Sequence, residues 1–523
     1  MKNIFFLIFV ILNCSCNSIK FVNEYSFLNN PTSNSVTDNI NLQNWHNLDP
    51  ETDSIPGTSV ERAYDELLNG LKGKKVIVAV IDTGLDIDHL SLSNNIWINK
   101  DEKLNRKDDD KNGYIDDIYG WNYLGTSYNE TRDMTRILRD NQVDNIKYSL
   151  VEEEIRKEIK KSNEQLNILN YYIQILEFSK GVISENLDNT KFTIEDVNKI
   201  KTEDEKLNRA KNIYIDFESI GYTKEYLNEG IEQYNDFINY HFNIDFNGRT
   251  SNDNIYDIND TDYGDSNINN IKDSESHSTH VSGIISGDRN NKKGNKGINN
   301  LVEIMALRAI PNGDEYDKDV ARAIRYAVDN GAKIINGSFG KYFSSNPEWV
   351  IDAIRYASKK DVLVVAAAGN ESKDLDLLSN DNYPNDQFFN KNEFSDTFIK
   401  VGASTINLNE NFTAYFSNYG KINVDIFAPG VDIYSSVPND KYKFQDGTSM
   451  ASPVVSGIAS LIMSYFPKLS AKKVKEIILK SGIDIDLKIG NLGSNKHFRE
   501  YSKSGKLINA YNALILASKS KRE

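Results

Sequence analysis

Six consecutive apolar residues, Val76 to Ile81 (VIVAVI), run directly into Asp82, Thr83 and Gly84. A strand with one wet face alternates polar and apolar residues. An unbroken apolar run must be covered on both faces, as in the centre of a parallel sheet. The first strand is therefore expected to end at Asp82 and to deliver a carboxylate to its carboxyl end. The pattern recurs downstream: Leu301 to Ala309 reads as a strand, Asp319 to Asn330 as a helix, Lys333 to Ser338 as a strand, Pro347 to Lys360 as a helix and Val362 to Ala368 as a strand. Such alternation predicts an α/β fold with a mostly parallel central sheet covered on both faces. Active residues then belong at the carboxyl ends of the strands.

Between residues 130 and 245 the period changes. Val151, Ile155, Ile159, Leu166, Leu169, Ile173 and Leu176 form an amphipathic stripe at helical spacing. Gly181 is expected to break this helix, and Thr193 with Asp196 to start another. The stretch 130–245 reads as a charged helical hairpin or small bundle inserted into an α/β domain made of 61–129 and 246–520; a solvated arm with no recognition role fits the pattern equally well.

Residues 17–60, rich in Asn, Ser, Thr and Pro, suit an extended leader crossing the domain surface. Residues 1–16 read as an export signal, with Lys2, an apolar run from Ile4 to Leu12, and Cys14 and Cys16 near its end. The run is too short to span a bilayer permanently. These are the only 2 cysteines, so the mature fold stands without a disulfide unless they pair with each other. A cysteine closing a short apolar run resembles the lipobox of bacterial lipoproteins. Acylation of Cys14 or Cys16 would leave an exported protein anchored to the cell envelope, and an ordinary cleaved signal is the alternative. The net charge of −15, with no long Lys/Arg block, speaks against nucleic acid as a partner.

Three distant stretches carry residues suited to a relay, in the order Asp, His, Ser. Ser449 lies in GTSMASP, ahead of an apolar run that reads as a buried helix, so its own N–H can serve as an oxyanion donor. His277 and His280 lie in HSTHVSG, where only one can be the base; a metal site is the rival reading, but HExxH and a third ligand are missing. Asp82 could fix a histidine tautomer. An aspartic peptidase also carries Asp-Thr-Gly, but it needs two such aspartates sharing a proton, and the chain has one DTG. Asn370, in AAAGN, could offer a second oxyanion donor.

Taken together, VIDTG, HSTHVSG, INGSFG, AAAGN and GTSMASP resemble the subtilase family in order and context. NWHNLDPETDSIPG, KDDDKNGYIDDIYGWNY and LRAIPNGDEYDKDVARAIRYAVDNGAK are similar to a branch of lipoprotein subtilases from Bacteroidetes-type bacteria. The resemblance implies a subtilisin-like three-layer sandwich and a serine endopeptidase, expected to act as a monomer on protein or peptide substrates. It implies the triad Asp82, His277 and Ser449, with Asn370 as the oxyanion residue and His280 as a packed neighbour. It implies further that Ser338, Phe339 and Gly340 form an edge that pairs with an extended substrate and lines its primary pocket. Subtilases usually have glycine after the catalytic histidine, where this chain has Ser278. That departure keeps open a second reading, a catalytically silent binding protein with the same fold.

Asp108, Asp110, Asn112, Gly113 and Asp116 fall at positions one, three, five, six and nine of an EF-hand-like loop. Calcium suits such short oxygen ligands around a glycine turn. Position twelve is Tyr119 rather than an acid, so the set would have to be completed from elsewhere, for example by Asp117. Subtilases often bind structural calcium; a solvated acidic turn is the alternative.

Overall fold

The apolar run forms β1 (Val76–Asp82), and its residues alternate between two cores. Val76, Val78 and Val80 enter one, Ala79 and Ile81 the other. The sequence is apolar on both faces because both faces are buried. The computed structural model describes residues 43–140, 145–291, 294–387, 392–490 and 496–520, so the expected export signal with Cys14 and Cys16 lies outside the described residues.

Strand β1 pairs in parallel with β3 (Val302–Arg308) on one side and β4 (Ile334–Gly337) on the other. The nine-stranded sheet continues from β4 through β5 (Leu363–Ala367), β6 (Phe398–Ser404), β7 (Ile426–Pro429), β13 (Lys506–Leu507) and β10 (Ile483–Asp484), and ends beyond β3 with β2 (Gly120–Asn122). Its pairs are parallel except β10 with β13. Helices α7 (His277–Ser286), α10 (Thr448–Tyr465), α11 (Ala471–Ser481) and α12 (Ala510–Lys519) cover one face through Val281, Ile285, Val455, Ile458, Ile477 and Leu514. Helices α8 (Asp317–Asp329) and α9 (Pro347–Lys359) cover the other through Val320, Ile324, Val350 and Ile354. These are the three layers expected from the sequence. A hairpin of β8 (Ile433–Val437) and β9 (Lys441–Gln445) leads into α10, and β11 (Lys488–Ile489) pairs with β12 (Lys496–His497).

The inserted stretch is helical: α2 (Asp133–Arg139), α3 (Asn145–Leu187), α4 (Ile194–Lys199), α5 (Glu205–Ser219) and α6 (Lys224–Asp236), the last running into a π-helical turn, Phe237–His241. Leu176, Ile183, Val197, Leu207, Tyr214 and Leu227 give the arm a small core of its own. Thr193 and Asp196 form the expected capping box of α4.

Three expectations are corrected. Gly181 does not break α3, which runs through it to Leu187. A mid-helix glycine costs about 1 kcal/mol against alanine, which the apolar anchors on either side, Leu176 and Ile183, outweigh. The leader 17–60 is not a surface strand throughout: Trp45, Ile55 and Val60, the last opening α1 (Val60–Arg62), are buried in the main core. Trp45 Nε1 also donates to Val431 O and Asp432 O. The start of the insertion is not arm but body. Arg136 on α2 is 1% exposed and donates to Thr131 O, Asp314 O and Glu315 O. Among the described residues no helix is long and apolar enough to cross a membrane.

Candidate active site

Strand β1 delivers Asp82 into a buried position at its carboxyl end. Asp82 Oδ1 lies 2.7 Å from Nδ1 of His277, the first residue of α7. An ionised carboxylate only accepts, so Nδ1 carries the proton and Nε2 keeps its lone pair. Burial pushes the ring toward neutrality, but the Asp82 charge and hydrogen bond prevail and hold its pKa above the ordinary 6.5. The turn between them is pinned as well. Thr83 Oγ1 accepts from Ser278 N, and Gly84 N donates to Glu275 Oε1, which also takes Arg308 Nε at 2.8 Å.

His280 is fully buried with Nε2 against Lys443 O at 3.0 Å, and burial pushes it down to about 3. A neutral ring whose Nε2 is spent on a carbonyl is a packing element, as the resemblance implies. It is not a partner for His277 in a metal site. Ser278 is 1% exposed, so its hydroxymethyl group faces protein rather than the open side of the His277 ring.

Ser449 is the second residue of α10. Pro453, four residues on, has no N–H and leaves the Ser449 carbonyl without its helical donor. Ser338 Oγ fills that place, donating to Ser449 O at 2.9 Å, while Ser449 Oγ donates to Ser338 O at 3.1 Å. Residue 338 follows β4, whose register with β1 aligns Gly337 with Ile81. Ser338 therefore stands beside Asp82, about 5 Å away across the ladder. The serine is thus clasped to one strand end and the imidazole is bound to the end of the adjacent strand. Among the described residues the hydroxyl is bonded to Ser338 O rather than to His277.

Asn370, just past β5, uses Oδ1 to accept from both Thr448 N and Thr448 Oγ1 at 2.9 Å. This fixes the amide and leaves Nδ2 free to point elsewhere. A Cβ built on Gly447 would sit 3.5 Å from Asn370 Nδ2 and 3.5 Å from Ser449 N. Two donors converge on the space this glycine leaves open, and its φ of +153° excludes other residues from the position. The arrangement suits an oxyanion next to the Ser449 hydroxyl.

Of the expected substrate edge, Ser338 is occupied as described. The Phe339 ring packs against the second core, lining a small internal cavity with Val320, Pro347 and Ile351. Gly340 lies against Tyr383 O and the Asn382 side chain. Phe339 is half-buried and Gly340 exposed.

At the acidic loop, Asp108 and Asp110 come within 4.8 Å of one another and of Glu102, which sequence spacing had not singled out. The only sequence signal was an acid in a stretch of acids, and its 5% exposure is what sets it apart. Asp116 does not join them: Oδ1 accepts from Asn105 N and Arg106 N at 2.9 Å, closing the preceding turn. Asn112 Nδ2 bridges Asp110 and Asp117. Burial raises Asp117 to about 6, with the Asp110 charge adding to it, against hydrogen bonds from Tyr326 and Asn112. No Lys or Arg among the described residues pairs with Glu102, Asp108 or Asp110. Each of their carboxylate oxygens accepts a hydrogen bond, chiefly from loop backbone N–H groups, but no cationic side chain among the described residues offsets their charge; such a set of hard oxygens suits a divalent cation of the calcium type.

The subtilase family model matches residues 73–502. The chain is 36% identical over 261 residues to the thermophilic serine proteinase of Bacillus sp. (strain AK1), covering 50% of this chain and 55% of that protein. It is 35% identical over 234 residues to the cell wall-associated protease of Bacillus subtilis (strain 168), covering 45% and 24%. With thermitase of Thermoactinomyces vulgaris it shares 36% over 189 residues, covering 36% and 61%. The chain thus spans between a quarter and three fifths of these relatives' lengths.

Proposed function

The chain belongs to the subtilase family, and on that premise we propose that it is a serine endopeptidase working through Asp82, His277 and Ser449. One observation carries the reading: the 2.7 Å Asp82–His277 pair stands one strand away from Ser338, which clasps Ser449. Ser449 Oγ leaves Ser338 O, gives its proton to His277 Nε2 and attacks the scissile carbonyl carbon. The oxyanion that develops takes hydrogen bonds from Asn370 Nδ2 and Ser449 N. His277 then passes the proton to the leaving amine, the C–N bond breaks, and water hydrolyses the acyl-enzyme by the same route. Asp82 holds the tautomer and stabilises the imidazolium. The burial of Ser278 supports the active reading over the silent one.

Protein or peptide chains, bound extended along residues 338–340, are the substrates of this reading, and the active form is a monomer. Glu102, Asp108 and Asp110 would hold a structural calcium ion, which supplies no chemistry to the cleavage. The protein would be exported and attached to the cell envelope by acylation of Cys14 or Cys16. A fluorophosphonate probe tests the core of the proposal. It should label the protein stoichiometrically and fail on Ser449→Ala, and well-folded protein that resists labelling would refute it.

A further inference from the structure

Asn370 sits just past β5, in a loop whose backbone is held on both sides by one distant residue. Asn418, fully buried in the connection between β6 and β7, donates Nδ2 to Ala368 O at 2.8 Å. Its Oδ1 accepts from Glu371 N at 3.2 Å and Lys373 N at 2.8 Å, and its own N–H donates to Gly369 O at 3.0 Å. Ser417 Oγ donates to the Asn418 carbonyl, so every hydrogen-bonding group of this residue is engaged. The approach is close enough to require glycine at 369: a Cβ there would lie 2.4 Å from Asn418 Nδ2, and the φ is +100°.

The same amide reaches the edge at residues 338–340. Asn418 Nδ2 also donates to Tyr342 Oη at 2.7 Å and to Glu371 Oε2 at 2.9 Å. Tyr342 stands two residues beyond Gly340, and its hydroxyl in turn donates to Glu371 Oε2. Burial and the Glu371 charge push this phenol up, so it stays protonated and remains a donor. Lys373 Nζ lies over the Tyr342 ring, 3.6 Å from its centre. Asn370 is thus fixed from two ends, its Oδ1 by Thr448 and its flanking backbone by Asn418, which sets the direction of Nδ2.

We propose that Asn418 is a positioning residue of the oxyanion site: it sets where Asn370 Nδ2 points, and through Tyr342 it ties that donor to the edge along which the peptide lies. The proposal rests on the endopeptidase reading for its purpose and on the Asn418 hydrogen bonds for its geometry. Donors to an oxyanion act through fixed placement, and a shift on the order of 1 Å costs about 10²-fold in rate.

A substitution cycle separates positioning from plain support of the fold. Full-length Asn418→Ala, Asn370→Ala and the double variant are compared with the parent by kcat and KM on an internally quenched peptide, per active site titrated with a fluorophosphonate. Asn418→Ala should lose about tenfold or more in kcat with KM nearly unchanged. In the Asn370→Ala background the same substitution should change kcat by no more than about twofold, the scatter of uncoupled effects, because the donor it positions is gone. A side chain that merely supported the fold would lower stability and leave kcat per active site unchanged in both backgrounds. An equal fall in both backgrounds, or no fall in either, overturns the proposal. Hydrogen exchange over residues 368–373, read by mass spectrometry, needs no turnover: it should be faster in Asn418→Ala, and an unchanged rate overturns the hold on the loop. Tyr342→Phe, which deletes one half-buried hydroxyl, repeats both measurements should Asn418→Ala fail to fold, with about threefold expected in kcat, the worth of one neutral hydrogen bond. Faster exchange in the variant, together with a parent that neither takes the fluorophosphonate nor cleaves peptide, upholds the hold on Asn370 and overturns the endopeptidase reading alone.

Discussion

The two halves of the Asn370 amide do different work, and substitution separates them. Oδ1 holds Thr448 through its N–H and hydroxyl, while Nδ2 faces the space beside Ser449 N. Asn370→Ala removes both. The loss at Nδ2 takes away one of two donors to an oxyanion that exists only after attack, so it should fall on kcat and leave KM nearly unchanged. Such a donor is worth roughly 3–4 kcal/mol, or about 10²–10³ in kcat. The loss at Oδ1 leaves two donors of Thr448 without an acceptor at the head of α10, costing about 1–2 kcal/mol of stability. Asn370→Asp keeps the acceptor and replaces the donor with negative charge. Its stability should stay closer to the parent, while its kcat falls at least as far as that of the alanine variant. Steady-state kinetics on a chromogenic peptide, paired with urea denaturation of each variant, reads both quantities. A kcat within tenfold of the parent for Asn370→Ala, or a loss confined to KM, would refute the assignment of Nδ2.

Because the Asp82 carboxylate holds the His277 pKa up, kcat/KM should rise with pH through a midpoint above 6.5, the neutral ring being the base. The stability contributed by the pair runs the other way: fully present below the unfolded value of 6.5, it is lost as pH rises through the higher folded value, visible as a denaturation midpoint that falls across that window. Chelation with EDTA should lower the thermal midpoint and added calcium restore it, by about 2.7 kcal/mol at a hundredfold excess over Kd, and Asp110→Asn should remove the response. Arg308→Met strands the 4%-exposed Glu275 carboxylate and should cost about 3–5 kcal/mol in denaturant titrations.

Elements that announce themselves locally were legible. β1 was readable because a doubly covered strand is apolar throughout, and its end at Asp82 because the next residues turn. The site was legible as far as each residue sat in a short motif whose backbone role is local: a strand end, a helix start, a glycine turn. What sequence could not show depends on partners far away in the chain. Lys341 reaches Asp133 across 208 positions, and nothing near either residue says that the two charges will be buried together. Trp45 in an Asn-rich stretch reads as leader until the Val431 and Asp432 carbonyls supply its acceptors. Glu102 is an unremarkable acid until the loop folds back upon it.

The same kind of long-range pair fixes how the helical arm joins the α/β body. The arm leaves the body at α2, where Asp133 takes Arg136 at 3.2 Å and Lys341 at 2.7 Å, all three side chains no more than 3% exposed. It returns at Arg249, which pairs with Asp253 and Asp319, while Lys318 takes Asp253 from the other side. Buried ion pairs are poor sources of net stability, because desolvation offsets most of their attraction. They are good at refusing alternatives, since separating either cluster would leave a charge unpaired in the interior. Clamped at both roots, the arm is tied to the body once more where Glu229 of α6 pairs with Lys443 of β9. An insertion of more than a hundred residues is thereby carried without loosening the strand ends at which Asp82 and Ser338 stand.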